Sequence, residues 1–227
     1  MSEHHGKFIV LDGGEGCGKT TQSHLLIARL SQEGHSAQLV HDPGTTRIGK
    51  LIRQLLLDPE NHDMRMRCEM LLYMAARSQM TDEVIAPALA RGTHVISDRF
   101  ISSTLAYQLG GDGLTAKEIR AVGDVAIRGR WPDLTIILDM PVEASSVRVD
   151  PQLMLGFAGG FAPREEKDRI EQRSVEYHKQ VRANYLKQAN ADRQHYKVVK
   201  ADRSIEEVHD AIWKLLHPLV QRRGAKT

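Results

Sequence analysis

Residues 7–20 read KFIVLDGGEGCGKT. Phe8, Ile9, Val10 and Leu11 form a short apolar run that stops at glycines, the pattern of a buried strand. Gly13, Gly14, Glu15, Gly16, Cys17, Gly18, Lys19 and Thr20 then satisfy G-x-x-x-x-G-K-[ST]. Beyond Thr21, the residues Leu26, Ile27 and Leu30 recur at helical spacing until Gly34. Strand, glycine loop and helix together predict a phosphate-binding loop. Glycines let successive backbone N–H groups point inward around phosphate oxygens. The helix N-terminus adds partial positive charge. Lys19 is placed to reach the β- and γ-phosphates, and the Thr20 hydroxyl to ligate Mg²⁺. A nucleoside triphosphate and Mg²⁺ follow, but not the reaction. A GTPase would want an N-K-x-D base-reading motif, and the sequence has none.

Four more apolar runs read as strands: SAQLVHD (36–42), THVISD (93–98), LTIILDM (134–140) and HYKVVKA (195–201). Helices are predicted near 46–57, from Met64 to Ala90 with Pro87 bending or breaking it, and from near Ser102 to the GGDG at 110–113. Thr115 with Glu118 and Ser204 with Glu207 are capping boxes that open two further helices, and another is expected over roughly 165–189. Five apolar strands alternating with helices define an α/β fold: a P-loop NTPase, with a five-stranded parallel sheet flanked by helices on both faces. Residues 1–227 are expected to form a single domain.

A hydrophobic fraction of 41% and a charged fraction of 26% suit a globular chain with a real core. The formal net charge of +2 is too balanced to favour a nucleic-acid or membrane surface. MSEHHGK holds no apolar run before the first strand, so no signal peptide is expected, and nowhere are there about 18 consecutive apolar residues. Two cysteines make no disulfide framework, which fits a cytoplasmic setting. The histidines are scattered without ligand spacing, so no histidine metal site is expected.

The acceptor side is carried by DPGTT (42–46), LLYMAARSQ (71–79), VISDRF (95–100), STLAYQ (103–108), PDLTIILD (132–139) and DRIE (168–171). Tyr73 and Arg77 are four apart and share a helix face, where a ring can stack on a base and a guanidinium can bond its carbonyl edge. Asp98-Arg99 ends a buried strand, where open α/β sheets bind ligands. Arg99 is placed to grip an acceptor phosphate as a planar fork, and Asp98 to hold Mg²⁺ water or orient Arg99. Asp139, alone at a strand end, reads as structural.

In this order and at these intervals the motifs resemble the thymidylate kinase family, over about residues 7 to 215. The resemblance implies ATP-dependent phosphorylation of dTMP to dTDP, with Mg²⁺, in a cytoplasmic homodimer. It implies that Thr104 meets the base edge, Tyr107 fills the space beside the sugar 2′ carbon, and Gln108 lines the same wall. It places Glu15 near the acceptor 3′-hydroxyl and the metal. His41 stands where many relatives have arginine, and Arg47, six residues on, is a candidate to supply that charge.

By position, 148–167 is a mobile lid over ATP. One subgroup of the family carries an arginine in the phosphate loop, and another carries several in the lid. Gly16 occupies the loop position here, so the lid must supply the arginine: Arg148 or Arg164, with Arg169 inside DRIE. The apolar insert MLGFAGGF (154–161) separates the first two. Two alternatives stay open at this point. One is a related kinase for dUMP or a deoxynucleoside, since one buried methyl is worth only about 0.8 kcal/mol. The other is a catalytically silent nucleotide-binding protein.

Overall fold

The computed structural model describes residues 5–148 and 168–221. Its strands are β1 (Phe8–Gly13), β2 (Ala37–His41), β3 (His94–Asp98), β4 (Leu134–Asp139) and β5 (Tyr196–Lys200). Its α-helices are α1 (Lys19–Gln32), α2 (Arg47–Leu57), α3 (Met66–Met80), α4 (Ala86–Ala90), α5 (Ile101–Tyr107), α6 (Ala116–Ile127), α7 (Val142–Arg148), α8 (Val175–Ala191) and α9 (Ile205–Val220). The strands are all parallel, in the order β2-β3-β1-β4-β5. The chain moves to one side of β1 for β2 and β3 and to the other for β4 and β5. Strand order therefore reverses at β1, and open sheets of this kind present a ligand crevice there.

The alternation within β1 explains the layers. Ile9 and Leu11 pack with Leu26 and Leu30 of α1 and Ile212 and Leu216 of α9. Phe8 and Val10 pack on the other face with Met70 and Met74 of α3, Ile101 of α5 and Ile119 of α6. Both faces are buried, so the strand reads as one continuous apolar run. Val181 and Tyr185 of α8 close over Ile137 of β4. Asp139 takes Arg182 of α8 in a two-bond fork of 2.6 and 3.0 Å, the structural role its position suggested.

Two boundaries differ from expectation. Pro87 does not break its helix. A π turn over Thr81–Ile85 lets the Ala86 N–H bond back to the Thr81 carbonyl, so Pro87 falls in the first turn of α4, where no N–H donor is needed. The helix expected from about 165 begins only at Val175, capped by Ser174, whose hydroxyl accepts from the Tyr177 N–H. Before it, Asp168 Oδ1 accepts from the N–H groups of Ile170 and Glu171, each at 2.9 Å, and an aspartate that captures backbone donors in this way holds a turn.

That turn is fastened by charge. Glu69 of α3, fully buried, accepts from Gln108 Nε2 at 2.7 Å, from Arg169 and from Arg173 Nη2 at 2.7 Å. Arg169 also donates to the Leu56 carbonyl at 3.0 Å. Arg169 is therefore committed to the scaffold.

Candidate active site

Gly13, the last residue of β1, lies in register with Leu138 of β4. A Cβ on Gly13 would lie 2.5 Å from the Leu138 carbonyl oxygen, so no side chain fits there. Gly18, with φ 92°, turns the chain into α1. No side chain caps this helix and no acid sits in its first turn, so the N–H groups of Lys19, Thr20 and Thr21 lack a side-chain acceptor and the helix end keeps its positive character. Gly14, Glu15 and Gly16 are half-buried around the loop. Cys17 is buried, burial pushes its thiol pKa up, and it stays a neutral filler. Lys19 folds across the loop mouth, with Nζ 2.6 Å from the Gly14 carbonyl and 3.3 Å from that of Gly13.

At the end of β3, Asp98 Oδ2 accepts from Thr20 Oγ1 at 2.8 Å, and His41 Nδ1 lies 3.8 Å away. Burial pushes Asp98 up, but the imidazole of His41, the charges of Lys19 and Arg99 and the Thr20 hydroxyl outweigh it and hold its pKa at about 2. The folded state therefore binds this proton more weakly than the unfolded chain, with its value near 3.8. The group contributes about 2 kcal/mol of stability, fully present above the unfolded value and lost as pH falls through about 2. Asp98→Asn removes the dependence. The stability gap between the two proteins, measured by urea unfolding, is expected to be largest near about pH 6 and to shrink toward about pH 3.

Arg99 follows with φ 70°, a left-handed backbone that a side-chain-bearing residue adopts only at a cost of about 1 kcal/mol or more. It sits at the crevice, where such strain collects. Its Nη2 donates to Glu15 Oε1 at 2.7 Å, and its Nη1 lies 3.2 Å from the Gly13 carbonyl. Tyr107 donates to the same Glu15 oxygen at 3.0 Å, and its ring lies 5.2 Å from the Arg99 guanidinium. Burial would raise the Glu15 pKa, but Arg99, Lys19 and the Tyr107 hydrogen bond lower it to about 2.

Tyr73 and Arg77 do share one face of α3, with the guanidinium 5.7 Å from the ring centroid. Arg77 is almost wholly buried. Its Nε donates to Asp42 and its Nη1 to Thr104 Oγ1 at 2.7 Å, while Nη2 carries no bond among the described residues. Glu69, Tyr73 and Arg77 form a stripe at four-residue spacing; Arg77 meets Thr104 of α5 and Glu69 meets Gln108, the residue that ends α5. Gln108 Oε1 is buried and takes no partner among the described residues.

Arg47 is exposed at the start of α2. The guanidinium brought against the Asp42-Pro43-Gly44 turn is instead that of Arg53, with Nη1 3.2 Å from the Pro43 carbonyl and close enough to act on Tyr73 together with Arg77 and Arg99. Sequence reading missed Arg53. The available signal was its place four residues after Gly49, which is buried beneath the same turn. Asp12 and Tyr185, buried behind Arg99, were missed as well. Arg164 and the insert 154–161 lie outside the described residues, as does the side chain of Arg148.

A glycine loop feeding an uncapped helix at the reversal point of a parallel sheet, with an arginine from the next strand touching that loop, defines a P-loop kinase. The sequence comparisons carry this further. The family model described as thymidylate kinase matches residues 11–212. A thymidylate kinase of Desulforudis audaxviator is 44% identical over 96% of this chain and 93% of its own length. Those of Halothermothrix orenii and Neisseria gonorrhoeae are 43% and 39% identical, each over 92% of this chain and over 95% and 96% of their own lengths. The chain belongs to the thymidylate kinase family.

Proposed function

We propose that the chain transfers the γ-phosphoryl group of ATP to dTMP. An oxygen of the dTMP phosphate attacks γ-phosphorus in line, the bond to the β–γ bridging oxygen breaks, and dTDP and ADP leave. The observation that carries this is the contact between the two halves of the site: Arg99 Nη1 is 3.2 Å from the carbonyl of Gly13, the first loop residue. A group held by Arg99 stands beside phosphates held by the loop.

In this reading Gly13 to Thr21 cradle ATP, and Lys19 swings from the loop carbonyls to the β- and γ-phosphates. Arg99 and Arg53 take the acceptor phosphate. Tyr73 stacks on the base, Arg77 Nη2 donates to a base carbonyl, and Gln108 Oε1 accepts from a base N–H. Thr104 stands at the base edge and holds Arg77 there. Tyr107 and Glu15 line the sugar. Arg148 or Arg164 supplies the lid arginine, worth about 10³–10⁵ in rate. Positioning and charge stabilisation carry most of the catalysis.

Mg²⁺ fits the residues present. Thr20 Oγ1 and Asp98 Oδ2 are hard oxygen donors 2.8 Å apart, and among the described residues no group of three or more His, Cys, Asp or Glu makes a complete cage. An ion that keeps several waters and shares the phosphates needs no more. Thr20 and Asp98 would hold it, with Glu15 nearby, and when bound it would neutralise charge on the β- and γ-phosphates.

Residues 1–227 act in this reading as one kinase domain with a lid at 148–167. A homodimer through the helices is in keeping with the exposed Leu51 and Leu55 of α2 and Leu71 of α3. No helix among the described residues is long and apolar enough to cross a membrane, and we place the enzyme in the cytoplasm. A coupled ADP-release assay tests the reaction, offering dTMP, dUMP, the ribose form of TMP, dCMP and AMP separately. ADP release with dTMP and dTDP as product is expected. Binding of dTMP with no ADP release from any acceptor would refute the reading.

A further inference from the structure

Behind Arg99 lies a buried group that the reaction as proposed does not use. Asp12, the residue before the loop, has no solvent exposure. Its Oδ1 accepts from the Gly13 N–H at 2.9 Å, Ser103 Oγ at 2.7 Å and the Tyr185 hydroxyl at 2.6 Å. Its Oδ2 accepts from Ser102 Oγ at 2.6 Å. Ser103 Oγ and the Tyr185 hydroxyl lie 2.9 Å apart. Both are also within reach of Arg99 Nη1, at 3.2 and 3.4 Å. Asp12 Oδ1 itself is 3.7 Å from that nitrogen.

The proton count decides what this arrangement does. A hydroxyl has one proton and two lone pairs, and an ionised carboxylate can only accept. Ser103 and Tyr185 each give their one proton either to Asp12 or, across 2.9 Å, one to the other, and in every such arrangement each keeps a lone pair for Arg99. A guanidinium can only donate, and it finds two acceptors with their protons fixed away from it. The long Arg99 side chain has several rotatable bonds, and these two acceptors hold its Nη1 end in place.

We infer that Asp12 and Tyr185 are positioning residues for Arg99: the buried carboxylate sets the Ser103 and Tyr185 hydroxyl protons, and the two oxygens aim the guanidinium at the acceptor phosphate. Three elements far apart in the chain meet for this: β1 gives Asp12, α5 gives Ser103 and α8 gives Tyr185. The inference rests on the proposed role of Arg99 as the phosphate grip.

The test compares binding of dTMP and thymidine, which differ by the phosphate alone, to the full chain. Tyr185→Phe keeps the buried ring and removes one oxygen. It is expected to weaken dTMP binding about tenfold, as loss of a hydrogen bond to a charged group does, and to leave thymidine binding unchanged. Ser103→Ala, smaller and in a different helix, is expected to show the same phosphate-specific loss, and serves if Tyr185→Phe folds poorly. Equal weakening for both ligands would mean a structural role only and would overturn the inference. So would no change for either. Arg99→Ala in parallel separates the two levels. If it loses phosphate discrimination and neither Tyr185→Phe nor Ser103→Ala does, Arg99 keeps its role and the positioning claim falls. If Arg99→Ala loses none, the acceptor grip is wrong and the inference falls with it.

Discussion

Arg99→Ala is expected to lower kcat by about 10³- to 10⁴-fold, roughly 4–5.5 kcal/mol of transition-state stabilisation, while ATP affinity changes by less than about threefold. The size follows from what the guanidinium does. It fixes the acceptor oxygen for in-line attack and screens two anionic groups brought together, and neither water nor a neighbouring side chain replaces a planar fork. The asymmetry follows from placement. Arg99 touches the loop at the Gly13 carbonyl and the Glu15 carboxylate, two acceptors that do not bind phosphate, so ATP loses no direct partner. The fold should survive. Alanine inherits the same left-handed backbone, and Glu15, with its side chain 31% exposed, reaches water when its partner goes. ADP-release kinetics and titration with a fluorescent ATP analogue measure the two effects separately. Normal turnover would remove Arg99 from the chemistry.

Lys19→Met is expected to cost about 10²–10³ in kcat and, unlike Arg99→Ala, also to raise the KM for ATP. Lys19 is largely buried, with an apolar stem that methionine can replace. What disappears is the ammonium that bonds the Gly14 and Gly13 carbonyls. Those carbonyls are part of the loop mouth and take water instead. The donor phosphates then lose a charge in both ground and transition states, so binding and rate fall together. The same assays across ATP concentrations check it, and a fall in kcat with unchanged KM would place Lys19 off the donor.

The sequence carried the scaffold because the scaffold is local. β1, the glycine loop and α1 are read within about 25 residues, and both capping boxes formed as their spacing indicated. What local patterns could not show was partnership across the fold. Arg77 looked like a free base contact, yet its Nε is held by Asp42, 35 residues away. Arg169, inside DRIE just past the lid, is taken by Glu69, 100 residues back. Asp12 carries no signal in the local pattern, and only the folded chain gathers four donors on it. The π turn ahead of Pro87 has no composition of its own. It comes from accommodating a proline inside a packed helix.

The Glu69 cluster has a consequence for how the molecule opens. Its bonds run from α3 to the 168–173 turn and to α5, joining parts of the chain that no sequence neighbourhood connects. A buried acid with two arginines is costly to separate, since pulling away one partner strands charge in the interior. Neither half can then peel off alone at low cost. The excursions that expose this region are those that expose most of the sheet, so the base wall and the turn that follows residue 167 share one cooperative unit.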